Sequence, residues 1–327
     1  MSGRSRRDAT TNDQTAGPPG RERSDLERAA VLRVLLAHDL SPAAERAAAL
    51  IAGTTWPRGT VVRVVSSPIG IGFGLSSFAT LSEARVHGRR VQATIAVAHD
   101  RVATGLRDAG VSVETEIVHG RPERALITDA LRYDADLIVV GARDQGPVAA
   151  TLLGSVSRAV VETAPCSVLV ARGSAVSRVL LATDGSAPAR LATTIVASWP
   201  MFAGVRTKVV GVGAEPPGYA GLVLGEAERR GAFAHSIADS EARSSVDVDA
   251  AVQELASSRR EVEREIRLGD PGKEIVTAAR WWAADLVAIG AYGQPFLRRL
   301  ILGSVARKVV DGISSSVLVA RPRPTAD

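Results

Sequence analysis

Short apolar runs alternate with stretches of helical periodicity along the whole chain. The first run, Val31–Ala37, is interrupted only by Arg33, and Ser41-Pro42 behind it is typical of a helix start. The next four predicted strands are Val61–Val65, Val111–Val118, Asp136–Gly141 and Ser167–Ala171. Strands that are apolar on both faces belong in a parallel sheet covered by helices on both sides. The pattern therefore predicts a doubly wound parallel α/β fold.

The same alternation starts again halfway along the chain. Val179–Asp184 repeats the type and order of Leu35–Asp39, and Ser316–Arg321 repeats Ser167–Arg172 letter for letter. The chain is therefore predicted to hold two tandem five-stranded domains of roughly 145 residues each. The expected divisions are a disordered tail over 1–28, domain 1 over 29–173, domain 2 over 174–322 and a C-terminal tail over 323–327.

Composition narrows the class of protein. Hydrophobic residues make up 46% of the chain and aromatic residues only 4%, so the cores must consist of aliphatic side chains. We find no apolar run of the roughly 18 residues needed to cross a membrane and no signal peptide. Cys166 is the single cysteine, which excludes an internal disulfide and agrees with a cytoplasmic protein. The net charge of +5 comes from scattered arginines, so nucleic-acid binding is not favoured.

Candidate chemistry is concentrated in glycines of the second copy. Their spacing is Gly290-x2-Gly293-x9-Gly303-Ser304, where an apolar run ends at Gly290 and a helix is expected to begin at Ser304. Glycines leave backbone N–H groups unshielded, and a helix N-terminus favours negative charge, so phosphate groups could bind there. An ordinary turn between a strand and a helix has the same composition. The spacing alone leaves both interpretations open.

Several motifs occur in both copies and in the same order. They are Ala-x-Asp-x-Ser at Ala37–Ser41 and Ala182–Ser186, the Ala-Asp-Leu strands before Gly141 and Gly290, the glycine loop, and the final Ser-Val-Leu-Val-Ala-Arg strand. Together they resemble the universal stress protein family in its tandem form. The resemblance implies a fold like that of the adenine nucleotide alpha hydrolases. It also implies ATP as ligand, with or without Mg²⁺. Pairing through the last strand is implied as well, in a homodimer or between the two domains of one chain.

The resemblance also implies which residues contact the nucleotide. In the second copy the phosphates and ribose would lie at Gly290, Gly293, Gly303 and Ser304, with a backbone N–H from Val305. Asp184 would accept hydrogen bonds near the adenine or ribose, and Val212 and Ile289 complete the expected site. The corresponding residues of the first copy are Asp39, Val64, Gly141, Gly154 and Ser155.

The first copy departs from the glycine pattern at one position. Asp144 stands where the second copy has Gly293, so a carboxylate takes the place at which backbone should approach phosphate. Repulsion between these charges could cost about 1–4 kcal/mol at a distance of a few ångströms. Arg143 beside it could offset part of this cost. The second copy is therefore predicted to be the better nucleotide site.

Other phosphate-binding and catalytic motifs are absent from the sequence. There is no Gly-x4-Gly-Lys-[Ser/Thr] run, no Gly-x-Gly-x-x-Gly after the first strand and no Gly-x-Ser-x-Gly elbow. The five histidines show no metal-binding spacing, and no residue stands out as a general base. The leading hypothesis is a nucleotide-sensing regulator in the stress response. A nucleotide-free module that associates with other proteins, and a weak ATPase, remain the alternatives.

Overall fold

The computed structural model of the chain describes residues 31–68, 81–142, 153–213, 226–256, 261–292 and 302–323. The tail predicted over residues 1–28 lies outside them, as do Arg143, Asp144 and Gly293. In domain 1 the elements are β1 Arg33–Ala37, α1 Pro42–Ala52, β2 Val61–Ser66, α2 Leu81–Asp108, β3 Ser112–Ile117, α3 Pro122–Tyr133, β4 Leu137–Gly141, α4 Ser155–Thr163 and β5 Ser167–Ala171.

Domain 2 repeats this order of elements. They are β6 Arg178–Thr183, α5 Ala187–Ser198, β7 Arg206–Gly213, α6 Glu226–Ala256, β8 Val262–Leu268, α7 Pro271–Trp281, β9 Leu286–Gly290, α8 Ser304–Gly312 and β10 Ser316–Ala320. A short 3₁₀ turn, Pro200–Phe202, follows α5. The predicted strands coincide with the observed ones to within a few residues, because most of them are buried parallel strands that are apolar on both faces. The edge strands β3 and β8 are largely exposed.

The ten strands form one continuous sheet in the order β3-β2-β1-β4-β5-β10-β9-β6-β7-β8. All strand pairs within a domain are parallel, which confirms the predicted doubly wound arrangement. The two domains meet through their last strands, where β5 and β10 run antiparallel and Leu169 lies opposite Leu318. Pairing through the last strand therefore takes place inside this chain.

Each face of the sheet is covered by helices from both domains. On one face, α1, α2, α5 and α6 contribute Leu50, Leu106, Ile195 and Leu255 to a single buried cluster. On the other, α3, α4, α7 and α8 contribute Leu126, Val160, Ile275 and Val309 to a second one. Both clusters continue across the boundary between the domains, so the apolar cores of the two halves are joined. No helix in the described ranges is long and apolar enough to cross a membrane.

A pair of buried arginines, Arg172 and Arg321, ties each domain to the other. The Arg172 guanidinium of domain 1 donates to the carbonyl oxygens of Val310 (2.7 Å), in the last turn of α8, and of Ser315 (3.0 Å), just beyond its C-terminal end. The Arg321 guanidinium of domain 2 donates to Val161 (3.1 Å) and to Ala164 at the end of α4. We call this reciprocal arrangement the crossed arginine clamp. Val310 and Val161 lie in the last turns of these helices, where carbonyl groups have no partner within the helix itself.

Ion pairs between α4 and α8 reinforce the clamp. The Arg158 side chain lies 3.0 Å from Asp311, and Arg307 lies 3.2 Å from Glu162. Both pairs are partly exposed, so each contributes little stability by itself. Their crossed placement nevertheless fixes the two helices against each other at two points.

Candidate functional site

A cavity of about 410 Å³ opens at the carboxyl ends of the domain 2 strands. It lies between the ends of β6 and β9, where the strand order reverses, which is the usual binding place in doubly wound sheets. Its lining residues are Ala182, Thr183, Asp184, Ala189, Val210, Val212, Pro271, Ile275, Ile289, Gly290, Tyr292, Gly303, Ser304, Val305 and Ala306.

Asp184 stands at the corner between β6 and α5. Its Oδ1 accepts a hydrogen bond from the Ser186 backbone N–H at 3.0 Å, and the Ser186 hydroxyl caps α5 by accepting from Ala189 N at 3.4 Å. Gly185 between them has a φ of +67°, a conformation that favours glycine. The local sequence thus holds the Asp184 carboxylate at the cavity while leaving its second oxygen available to a ligand.

Asp247 of α6 lies beside this corner. A Cβ atom at Gly185 would stand only 2.1 Å from Asp247 Oδ1, so the backbone there approaches the carboxylate closely. Burial raises the pKa of Asp247, and the negative charge of Asp184 raises that pKa further. The two carboxylates therefore repel each other weakly at the edge of the cavity.

The N-terminus of α8 forms the opposite wall. Gly303 is its N-cap, with no side-chain hydrogen bond to the first turn, and Gly303 N donates to Ala291 O at 2.8 Å. The first N–H groups of a helix have no partner within the helix, and the positive end of the helix dipole lies there. Because Gly303, Ser304 and Val305 all line the cavity, these groups are placed to bind an anion.

An apolar slot leads inward from this helix end. It consists of Val210 and Val212 on β7, Ile289 on β9, and Pro271 and Ile275 at the start of α7. Sequence reasoning missed Val210, Pro271 and Ile275. The repeated Gly-x-Pro turns at Gly120–Pro122 and Gly269–Pro271 were the available signal for Pro271 alone, since a turn at the end of a strand faces the same edge of the sheet.

The structure brings together nearly all of the residues predicted for domain 2. Asp184, Val212, Ile289, Gly290, Gly303, Ser304 and Val305 line the same cavity. Gly290 is required by close packing, because a Cβ there would lie 2.7 Å from Ala189 N. Gly293 is the one predicted residue of this domain that lies outside the described part of the chain.

Domain 1 carries a corresponding cavity of about 530 Å³. Of the predicted residues, Asp39, Gly141, Gly154 and Ser155 line it. Gly154 is the N-cap of α4 and, like its counterpart in domain 2, makes no side-chain capping bond. Polar side chains are more frequent in this cavity, because Ser67, Arg121 and Glu123 also line it.

Val64 does not line the domain 1 cavity, contrary to the prediction. It is fully buried in the cluster on the opposite face of the sheet, while Val65 and Ser67 line the cavity. The reason is strand alternation, since successive side chains point to opposite faces. In register, Val65 lies opposite Ala37 as Val210 lies opposite Ala182, so Val65 and Ser67 correspond to Val210 and Val212.

A buried histidine network distinguishes domain 1 from domain 2. The Ser66 hydroxyl donates to the His38 carbonyl and lies 2.8 Å from His99 Nε2. The His38 side chain in turn has its Nε2 3.3 Å from Glu45 Oε1. Burial lowers the pKa of His99 to about 4, and burial also lowers the pKa of His38. In domain 2, Thr183 and Gly211 stand in register where domain 1 has His38 and Ser66.

We expect this network to make domain 1 sensitive to acid. In the unfolded chain His99 takes up a proton near pH 6.5, but in the folded chain only near pH 4. The free energy of unfolding should therefore be unaffected by His99 above pH 6.5 and should fall, by about 3 kcal/mol, as the pH drops to 4. Urea titrations of wild type and His99→Val across this range measure the effect.

Charged groups near the two histidines shift their pKa values in both directions. Glu45 and Asp39 raise the pKa of His38 and Arg101 lowers it, whereas His38 lowers and Asp100 raises the pKa of His99. The His99→Val variant should lose less stability on acidification than wild type. The control variant is His235→Ala, because it removes a histidine whose side chain is 81% exposed instead of buried. Identical profiles for wild type and His99→Val would contradict the prediction.

Comparison with known proteins decides the family. The model of the Universal stress protein family matches residues 31–172 and again residues 175–321. The chain belongs to the universal stress protein family. A universal stress protein of Mycobacterium tuberculosis (strain H37Rv) is 27% identical over 259 residues, covering 72% of this chain and 77% of that protein.

One solved structure of a family member agrees with the fold over most of the chain. The universal stress protein from Archaeoglobus fulgidus superimposes with a TM-score of 0.61 at 17% identity, over 88% of this chain and 98% of that one. A family protein from Arabidopsis thaliana was crystallised with AMP bound; it is 20% identical and covers 42% of this chain and 88% of its own, with a TM-score of 0.28. The first likeness shows the two-domain fold of this universal stress protein.

Proposed function

We propose that this universal stress protein binds ATP in domain 2 and acts as a nucleotide-sensing regulator of the stress response in the cytoplasm. The observation that carries the proposal is the uncapped N-terminus of α8 at the mouth of an apolar slot. Helix N-termini bind phosphate through unpaired N–H groups and the helix dipole. An apolar slot next to such an end suits the flat face of a purine base.

The chemistry of the cavity suits the parts of a nucleotide separately. Val210, Val212 and Ile289 offer aliphatic surface for the base. Asp184 keeps one carboxylate oxygen for a ribose hydroxyl, since the other accepts from Ser186. The phosphates would then extend over Gly290 towards Gly303, where the missing side chains leave the backbone open to them. This order, from base to phosphate, follows the cavity from the slot to α8.

Mg²⁺ would be held mainly by the phosphates themselves. Asp184 is the one carboxylate among the described lining residues of the domain 2 cavity, and Mg²⁺ typically takes one or two carboxylates together with phosphate oxygens. Elsewhere in the described ranges, no three His, Cys, Asp or Glu side chains gather as a metal site. We therefore propose that any metal ion enters together with the nucleotide.

Regulation fits this cavity better than rapid hydrolysis does. A general base must reach the water that attacks the γ-phosphate. Among the described lining residues of domain 2 there is no histidine, glutamate or lysine, and Asp184 lies at the strand end rather than beside α8. We propose that turnover is slow or absent and that the occupied state itself is the signal.

One aspartate placed in each domain tests the proposal. Ser304→Asp should preserve α8, because a negative charge at a helix N-terminus stabilises it, but should repel phosphate. We expect ATP affinity to fall at least about tenfold, measured by calorimetric titration of nucleotide-free protein. The matched control is Ser155→Asp, which makes the same change at the start of α4 in domain 1.

The pair of variants also locates the site. The Ser155→Asp variant should still bind ATP in the domain 2 cavity, with the affinity and the number of nucleotides bound at that site unchanged. If wild-type protein neither copurifies with nor takes up ATP, the proposal of nucleotide binding is wrong. If Ser155→Asp abolishes binding while Ser304→Asp leaves it intact, the nucleotide binds in domain 1 instead.

A further inference from the structure

We propose that each domain positions the phosphate-binding helix of the other, with Arg172 of domain 1 holding α8 for the site in domain 2. Arg172 and Arg321 would thus be positioning residues that contact no nucleotide. The inference rests on the proposed function, because it concerns the same anion-binding helix ends. It goes beyond that function by making the domain 2 site depend on a residue of domain 1.

The two ends of α8 contact different domains. Its N-terminal residues Ser304 and Val305 line the domain 2 cavity. Its C-terminal end is held by Arg172, through Val310 and Ser315. The helix is only nine residues long, so it moves as a rigid rod of about 13 Å. A shift at the clamped end is therefore transmitted to the N–H groups at the cavity.

The hydrogen bonds of Arg172 fix the position of the α8 C-terminal end. A buried apolar side chain at residue 172 would fill the same space without fixing that position. The Arg172 side chain belongs to a residue that is only 6% exposed, and its two outer nitrogens reach two carbonyl groups on either side of the helix end. A guanidinium has its donors in a fixed planar fork, so these bonds set direction as well as distance. The positive charge also complements the negative end of the helix dipole.

Backbone contacts at the interface fix the arginine in turn. Arg172 N donates to the Ser316 hydroxyl at 3.1 Å, which places the residue against β10. The same bond recurs on the other side, where Arg321 N donates to the Ser167 hydroxyl at 3.2 Å. Each arginine is therefore anchored on the paired last strands and reaches out to the helix of the other domain. Arg158 and Asp311 add a second link to α8.

A matched pair of variants separates positioning from general stability. Arg172→Met and Arg321→Met remove equivalent buried guanidiniums from the two halves of the clamp. We expect both to lower the thermal midpoint, but only Arg172→Met to weaken ATP binding at the domain 2 site, by about tenfold. Calorimetric titration is carried out well below both midpoints. Equal weakening by both variants, or no weakening by Arg172→Met, would overturn the proposal.

Hydrogen exchange gives a reading that does not depend on nucleotide. In α8 the first intrahelical bond runs from Arg307 N to Gly303 O, and in α4 from Arg158 N to Gly154 O. Arg172→Met should speed exchange from Arg307 to the end of α8 and leave α4 protected, and Arg321→Met should do the reverse. Unchanged exchange of α8 in Arg172→Met would refute the clamp. A wild-type protein that binds no ATP would refute only the proposed function.

Conservative replacement completes the test. Arg172→Lys keeps the charge but replaces the planar fork by a single ammonium group. We expect its ATP affinity to lie between those of wild type and Arg172→Met, with the thermal midpoint closer to wild type. If lysine gives no more binding than methionine, charge at the helix end makes no contribution and the positioning role belongs to the fork alone, which contradicts the dipole part of the proposal.

Discussion

Replacing Gly141 with alanine is expected to destabilise domain 1 by about 3 kcal/mol or more. A Cβ at this position would lie 2.4 Å from both the carbonyl carbon and the oxygen of Ala43, where the end of β4 meets the first turn of α1. Neither partner is a flexible side chain. The helix cannot retreat easily, because Ser41 caps it and Asp39 accepts from Ser41 N at 3.1 Å. Urea denaturation followed by circular dichroism measures the loss.

Gly105 provides the contrasting glycine. It lies inside α2, and a Cβ there would meet nothing within 4 Å. Gly105→Ala should therefore stabilise the protein by about 0.5–1 kcal/mol, since glycine is a poor helix former. A Gly141→Ala protein as stable as wild type would mean that β4 and α1 do not approach each other as closely as described. Gly290→Ala in domain 2 should behave like Gly141→Ala, for the same reason.

Replacing Leu318 with alanine is expected to cost about 2–5 kcal/mol. Leu318 is 1% exposed, lies on β10 at the centre of the ten-stranded sheet and stands opposite Leu169 of domain 1. Its removal leaves a cavity in a core that both domains share. Urea denaturation again measures the loss. Leu131→Ala serves as control, because Leu131 is 58% exposed and its truncation should change stability by no more than about 0.5 kcal/mol.

A double variant tests whether the two domains are joined at this point. Leu169 and Leu318 are neighbours, so the effects of their replacement by alanine should not add. We expect the double variant to differ from the sum of the single ones by at least about 0.5 kcal/mol. Strict additivity would indicate that β5 and β10 are not paired in solution.

The fold could be predicted from the sequence because most of its strands are buried on both faces, the edge strands β3 and β8 being the exceptions. Such strands appear as uninterrupted aliphatic runs, and the run Ser167–Arg172 recurs unchanged as Ser316–Arg321. The crossed arginine clamp could not be predicted. Arg172 and Arg321 each follow a strand and look like exposed charges at its end. Only the antiparallel pairing of β5 with β10 brings each one to the helix of the other domain.

The glycines of the candidate site could be predicted from the sequence, but only some of the side chains that line its walls could be. Gly290 and Gly303 could be found because close backbone contact leaves a spacing pattern in the sequence. Aliphatic wall residues such as Val210 and Ile275 look the same as core residues. Val64 shows the same difficulty, because a shift by one residue moves a strand side chain to the other face of the sheet.

The union of two domains in one chain has a consequence for how the protein can change over time. In a symmetric homodimer every substitution appears in both halves at once, so a residue that suits one site must also be tolerated in the other. Here His38 and Ser66 occupy positions that Thr183 and Gly211 fill in domain 2. Because the two domains are encoded separately in one chain, the residues of each site can change independently. The shared sheet requires both domains to keep the same arrangement of strands.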